Sequence, residues 1–292
     1  MKVGFIGLGI MGRPMALNLL KAGYEVVIPD VNRGAAEEVT AAGAERASYA
    51  EIGRSCERII LMLPNGAVSR EVLFGEAGLV SYIKAGAVVC DMGSVSPVES
   101  QECYRKLKAL GVGFVDAPVS GGEPGAIGAT MAIMAGGDEP DYEAMVPLFE
   151  VLGGSHLLVG PSGSGSVAKL TNQMIVNNTV AVVAEAFVLA AKAGADPEKV
   201  FEAIRGGLAG SAVLEMKIPM LLARDFKPGG TITVIRKDLK NILDTAHAVE
   251  VPVPYSAQLF EILQYLKVHG YDSEDQAAIA RYFEALADCE IK

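Results

Sequence analysis

Tryptophan is missing from this chain, cysteine and histidine are scarce, and no stretch is rich in lysine or arginine. Each scarcity closes off a class of function. The four cysteines, Cys56, Cys90, Cys103 and Cys289, form no CxxC pair, and no histidine joins them at metal-ligand spacing. A zinc site needs such grouping, and a disulfide framework belongs to small secreted scaffolds. No metal site is expected, and the cysteines read as thiols of a reducing, cytosolic compartment, with Cys90 buried in a strand. His156, His247 and His269 lie outside every motif and receive no catalytic role. With 25 basic against 35 acidic residues the formal net charge is −10. A nucleic-acid or anionic-membrane binder needs a basic surface, so neither partner is expected.

Apolar residues and glycine are plentiful. Of 292 residues 51% are hydrophobic, enough for a sizeable core, and 33 are glycine. The opening MKVGFIGLG reads as a strand and not as a leader, so no signal peptide is expected. The run 174–193 is long enough to span a membrane, but Asn177, Asn178, Glu185 and Lys192 interrupt it. A helix buried between other helices is the better expectation.

Hydrophobic periodicity divides the chain in two. Strands are expected at Lys2–Ile6, Glu25–Ile28, 58–63, 87–91, 112–116 and 131–135, with helices at 11–22, 96–110 and 140–152 among them. Such alternation predicts an α/β Rossmann-type domain, a doubly wound and mostly parallel sheet covered on both faces. After GPSGSGS (160–166) the strand signals stop. Helices are expected at 169–193, 197–205, 212–223, 235–249, 255–269 and 276–286. The expected division is a dinucleotide-binding domain over 1–161 and an all-helical domain over 162–292, with one long helix joining them.

VGFIGLGIMG supplies Gly7, Gly9 and Gly12 in the GxGxxG spacing, with Ile10 and Met11 inside it, between a strand and a helix. That context turns a weak pattern into a dinucleotide fingerprint: the backbone approaches a pyrophosphate at the helix N-terminus. Asp30 ends the second strand 18 residues after Gly12, where a carboxylate accepts from a ribose 2′-OH. It would repel a 2′-phosphate, which favours NAD, while nearby Arg33 leaves NADP possible. The loops Leu63-Pro64-Asn65 and DMGSVSP follow later strands and line the same crevice. There Ser94 or Ser96 is expected to cap the next helix, and Ser94 equally to touch nicotinamide or substrate; the two roles are compatible. Ser120-Gly121-Gly122 either makes a glycine turn or presents backbone N–H groups to a small carboxylate. AKLTNQ sets Lys169 and Asn172 three residues apart on one helical face. The lysine either snorkels to solvent or faces a site.

Four stretches together, GFIGLGIMGRPMALNLLKAGY, DAPVSGGEPGAIGATMAIMAGGD, GSGSVAKLTNQMIVNN and KDLKNILDTAH, resemble the β-hydroxyacid dehydrogenase family over nearly the whole chain. The resemblance implies a Rossmann domain followed by a helical domain, NAD or NADP as cofactor, and dimers or tetramers formed through the helical half. It implies Lys169 as the catalytic lysine, Asn172 and Ser120-Gly121-Gly122 as substrate-binding, and Lys237 near the cofactor. The substrate class it implies is a small carboxylate-bearing aldehyde or hydroxy acid. AIRGGLAGSAVLEMKIPM and RDFKPG favour the branch that reduces tartronate semialdehyde over the one that acts on 3-hydroxyisobutyrate. One departure stands out: Gly230 follows KPG where many members carry an aromatic residue.

Overall fold

The computed structural model describes residues 1–29 and 33–292, Arg33 by its backbone alone. Two compact units divide it, Met1–Lys169 and Leu170–Lys292.

In the first unit the elements run β1 (Lys2–Ile6), α1 (Gly12–Lys21), β2 (Glu25–Ile28), α2 (Arg33–Ala41), β3 (Glu45–Arg46), α3 (Tyr49–Ser55), β4 (Arg58–Leu61) and α4 (Gly66–Phe74). There follow β5 (Val88–Asp91), α5 (Pro97–Lys108), β6 (Gly113–Asp116), β7 (Val119–Ser120), α6 (Gly122–Ile127), β8 (Met131–Gly137), α7 (Glu139–Leu152) and β9 (Gly153–Gly160). The described strands form one sheet, ordered β3-β2-β1-β4-β5-β6-β8-β7, with β9 paired to β8. From β3 to β6 every pairing is parallel; β8 runs antiparallel to β6 and β7. The expected doubly wound sheet is therefore present, with a mixed edge.

The sheet forms because its central strands are apolar on both faces. In β1, Val3 and Phe5 join one core layer with Met15, Leu19 and Phe149, while Ile6 joins the other with Ile59, Leu61 and Phe114. Successive side chains alternate across the sheet, so a continuous apolar strand needs helices on both sides. Strand order reverses between β1 and β4, and ligands of such sheets bind beyond the strand C-termini at that reversal.

Helix α8 (Ser164–Lys192) carries the chain into the second unit, where α9 (Pro197–Ile204), α10 (Ala212–Ala223), α11 (Ile232–Ala248), α12 (Pro254–Val268) and α13 (Ala280–Ala287) follow. Their core includes Phe187, Ile218, Leu239, Leu263 and Ile279. Two expectations need correction. Helix α8 begins at Ser164 and not at residue 169, because its cap lies far away in sequence. Nor is it buried on all sides: Ile175, Val182 and Leu189 are 65%, 61% and 70% exposed. The expected last helix is split into a 3-10 turn, Gln276–Ile279, and α13.

Candidate active site

The three fingerprint glycines are required for three separate reasons. Gly7 has φ +110, and a Cβ there would lie 2.2 Å from the Met62 carbonyl oxygen. A Cβ on Gly12 would lie 1.8 Å from the Gly7 carbonyl oxygen, so α1 could not start so close to β1. Gly9 meets nothing within 4 Å. The fold itself does not demand a glycine there, whereas a ligand approaching the backbone would. Helix α1 has no side-chain cap and no acidic residue in its first turn, and Ile10 beside it is exposed. Uncapped N–H groups at a helix start suit a phosphate anion. Leu8, Gly9, Ile10 and Arg13 line a surface recess of about 300 Å³ there. Arg13 pairs with Glu38 at 2.8 Å and so ties α1 to α2. The residues present fit a dinucleotide. Asp30, the expected ribose partner, lies outside the described residues, and so does the side chain of Arg33.

Loops from neighbouring parallel strands gather at this edge. Leu63 packs on Gly7, and its carbonyl oxygen would lie 2.7 Å from a Cβ on Gly93. Pro64 follows it, and Asn65 caps α4, its Oδ1 accepting from Val68 N at 3.0 Å. Ser96, not Ser94, caps α5: its Oγ accepts from Glu99 N, and the Glu99 carboxylate accepts from Ser96 N. Half-buried Ser94 thus follows β5 without being the cap of that helix.

The Asp116 carboxylate ends β6 and is fully buried. Its Oδ1 accepts from Gly163 N at 2.7 Å and its Oδ2 from Ser166 N at 2.8 Å. Burial pushes its pKa up to about 6, against hydrogen bonds that pull the other way. Sequence reasoning saw only a strand end there. Ser120 closes β7, and Gly121 and Gly122, with φ +145 and +61, open α6. Asn18 of α1 donates from Nδ2 to the Ala126 carbonyl at 2.8 Å, fixing α6 beside α1. The described residues hold no cluster of three or more metal ligands.

Lys169 is half-buried on the second turn of α8, because the helix starts five residues before the expected 169. It lies about 7–8 Å along the axis from Ser164, at 1.5 Å per residue. In the second unit Asn172 Nδ2 donates to Gln173 Oε1 at 3.0 Å, and Gln173 Nε2 donates to Asp238 Oδ2 at 2.6 Å. The Lys237 ammonium lies 3.2 Å from Asp238 Oδ1. Asn172 and Lys237 therefore belong to one polar chain through buried Gln173 and Asp238. Gln173 was missed as a site residue, although a glutamine in a greasy helix four residues after Lys169 was the available signal.

Residues 2–160 match the family described as the NAD binding domain of 6-phosphogluconate dehydrogenase. Residues 163–283 match the family described as NAD-binding of NADP-dependent 3-hydroxyisobutyrate dehydrogenase. The chain is 39% identical to the 2-hydroxy-3-oxopropionate reductase of Escherichia coli K12, over 99% of both chains. The chain belongs to the β-hydroxyacid dehydrogenase family. It is an NAD(P)-dependent oxidoreductase acting on CH–OH groups. Similarity to the 2-(hydroxymethyl)glutarate dehydrogenase of Eubacterium barkeri is 34% identity over 99% of this chain and 97% of that one. Among solved structures, a 3-hydroxyisobutyrate dehydrogenase from Salmonella typhimurium superposes with TM-score 0.88 and 29% identity, covering 96% of this chain and 99% of that one.

Proposed function

We propose that this dehydrogenase uses NADH to reduce a small 3-oxo acid, tartronate semialdehyde, to D-glycerate. The observation that carries the substrate is the full-length 39% identity to a 2-hydroxy-3-oxopropionate reductase. When bound, the reduced nicotinamide supplies a hydride to the aldehyde carbon. The aldehyde oxygen then gains charge, which the Lys169 ammonium stabilises, and it takes the proton that Lys169 donates. Lysine takes a proton from solvent to complete the cycle. Ser120, Gly121 and Gly122 hold the substrate carboxylate through N–H groups and the Ser120 hydroxyl. Asn172, three residues beyond Lys169, orients the substrate. Lys237 keeps its place near the cofactor, and Asp30 selects NADH by accepting from the ribose.

A second reading, 3-hydroxyisobutyrate as substrate, has support from the Salmonella structure and from the second family match. Gly230 bears on the choice. A Cβ there would meet nothing nearer than 4.0 Å, so the backbone itself does not demand a glycine at this position. The test is turnover of tartronate semialdehyde and methylmalonate semialdehyde, each with NADH and NADPH, by the wild type and by Lys169→Ala. Fastest turnover is expected with tartronate semialdehyde and NADH, and Lys169→Ala should lower kcat by roughly 10²–10⁴ with NADH affinity kept. Faster turnover of the methylmalonate compound moves the substrate. Near-normal kcat in Lys169→Ala removes the lysine from the chemistry.

The enzyme is further proposed to assemble as a dimer or tetramer through α8. Ile175, Val182 and Leu189 recur every seven residues on an exposed face, the repeat with which two apolar helices interlock. Val182→Glu should shift the mass measured by light scattering toward the monomer, and an unchanged mass would place the interface elsewhere.

A further inference from the structure

We propose that Asp116 is the positioning residue of Lys169: from the end of β6 its carboxylate fixes the first turn of α8. This rests on the reading that Lys169 is the proton donor.

Helices α3 and α5 start on their own capping boxes, Ser48 with Glu51 and Ser96 with Glu99. Such a box satisfies two amides, that of the cap residue and that of the third helical residue. Helix α8 begins at Ser164, so those amides belong to Gly163 and Ser166. Gly163 has no side chain to offer, and serine at the third position is too short to reach back. Asp116 takes both amides, one on each carboxylate oxygen, from 47 and 50 residues away. The start of α8 thus refers to the sheet and not to its own sequence.

The joint leaves no slack. A Cβ on Gly165 would lie 2.3 Å from the Asp116 carbonyl oxygen and 2.4 Å from that of Met134. A Cβ on Gly136 would lie 2.6 Å from Gly165 N. Ser166 Oγ also meets Ser100 Oγ at 2.9 Å, which fastens the same turn to α5. Ser166 and Lys169 are three residues apart and share a face. The strand that ends in Asp116 also leads into Ser120-Gly121-Gly122, so one short segment sets both the lysine helix and the carboxylate loop.

The experiment compares wild type, Asp116→Asn, Lys169→Ala and the double variant. An asparagine can accept from one of the two amides but points N–H groups at the other. Asp116→Asn is expected to lower kcat roughly 10- to 100-fold, the scale of an ångström-sized misplacement, with NADH Kd within about twofold. If Asp116 acts through Lys169, the double variant should turn over no more slowly than Lys169→Ala. Amide exchange across 163–169 should speed up in Asp116→Asn and stay as in wild type in Lys169→Ala. Losses that multiply in the double variant, or wild-type kcat in Asp116→Asn, overturn the proposal. Wild-type kcat in Lys169→Ala overturns the proton-donor reading, and faster exchange in Asp116→Asn then marks that failure as the lysine's and not the clamp's. If Asp116→Asn does not fold, Ser166→Ala tests the same joint, with a smaller kcat loss that again vanishes in the Lys169→Ala background.

Discussion

Each unit buries an aspartate where separate pieces of chain meet, and the two are held differently. Asp116 is held by the amides of a helix start. Asp275 accepts from the amides of Gly229, Gly230 and Ala277, and also takes the buried Lys217 ammonium at 2.7 Å. The difference follows from what each carboxylate faces. The start of a long helix concentrates about half a positive charge in its free N–H groups. The segment around Gly229 and the single 3-10 turn at Gln276–Ile279 offer no such field, and a full cation supplies it. A buried charge can thus be offset in part by architecture or met by a partner ion, and the two solutions fail in different ways.

The largest expected effect is on the partnered side. Lys217→Met removes the cation and leaves the Asp275 carboxylate buried at 0% exposure. Breaking one half of a buried pair costs roughly 3–5 kcal/mol. Denaturant titration should show that loss, and a loss under about 1 kcal/mol would mean that the loop amides alone hold the Asp275 charge.

On the other side the signature is pH. Burial raises the folded pKa of Asp116 to about 6, above the roughly 3.9 of an unfolded aspartate. Between those values the folded chain keeps a proton that the unfolded chain has released. This contribution to stability is therefore full below pH ~4 and is lost as pH rises to about 6, a change on the order of 2–3 kcal/mol. Asp116→Asn should flatten that part of the stability–pH curve. An unchanged slope would assign it to another carboxylate.

The same contrast between local and remote partners explains what could be read in the sequence. The starts of α5, α9 and α10 carry their caps within three residues, Ser96, Asp196 and Ser211. Those helices lie close to where periodicity put them. The start of α8 has its cap 47 residues upstream, so the expected start fell five residues late. The glycine fingerprint was legible because all three glycines serve one loop. In the chain from Asn172 to Lys237 it was Gln173 and its link to Asp238 that were not legible, since that link joins α8 to α11 across 65 residues. Strand β9 escaped notice because it sits at the sheet edge, where solvent-facing residues replace the apolar run. Asn65 was expected as a cofactor residue, and the structure adds a capping role that position alone did not reveal.

The smallest effect separates two adjacent residues of α8. Asn178 donates to the Met174 carbonyl at 2.7 Å and to Ser256 Oγ at 3.2 Å. Asn177, 2% exposed, meets no hydrogen-bond partner for either end of its amide among the described residues. A buried polar group without a partner costs about 1–3 kcal/mol, and alanine also suits a helix interior better than asparagine. Some of that gain is offset by the small void alanine leaves. Asn177→Ala should therefore stabilise by roughly 1 kcal/mol, and Asn178→Ala should destabilise by about as much. Thermal melts of the two variants, run side by side, give the sign. If both lose stability, the Asn177 amide is satisfied in solution by an internal water, and the second unit then balances its buried amides as completely as its buried charge.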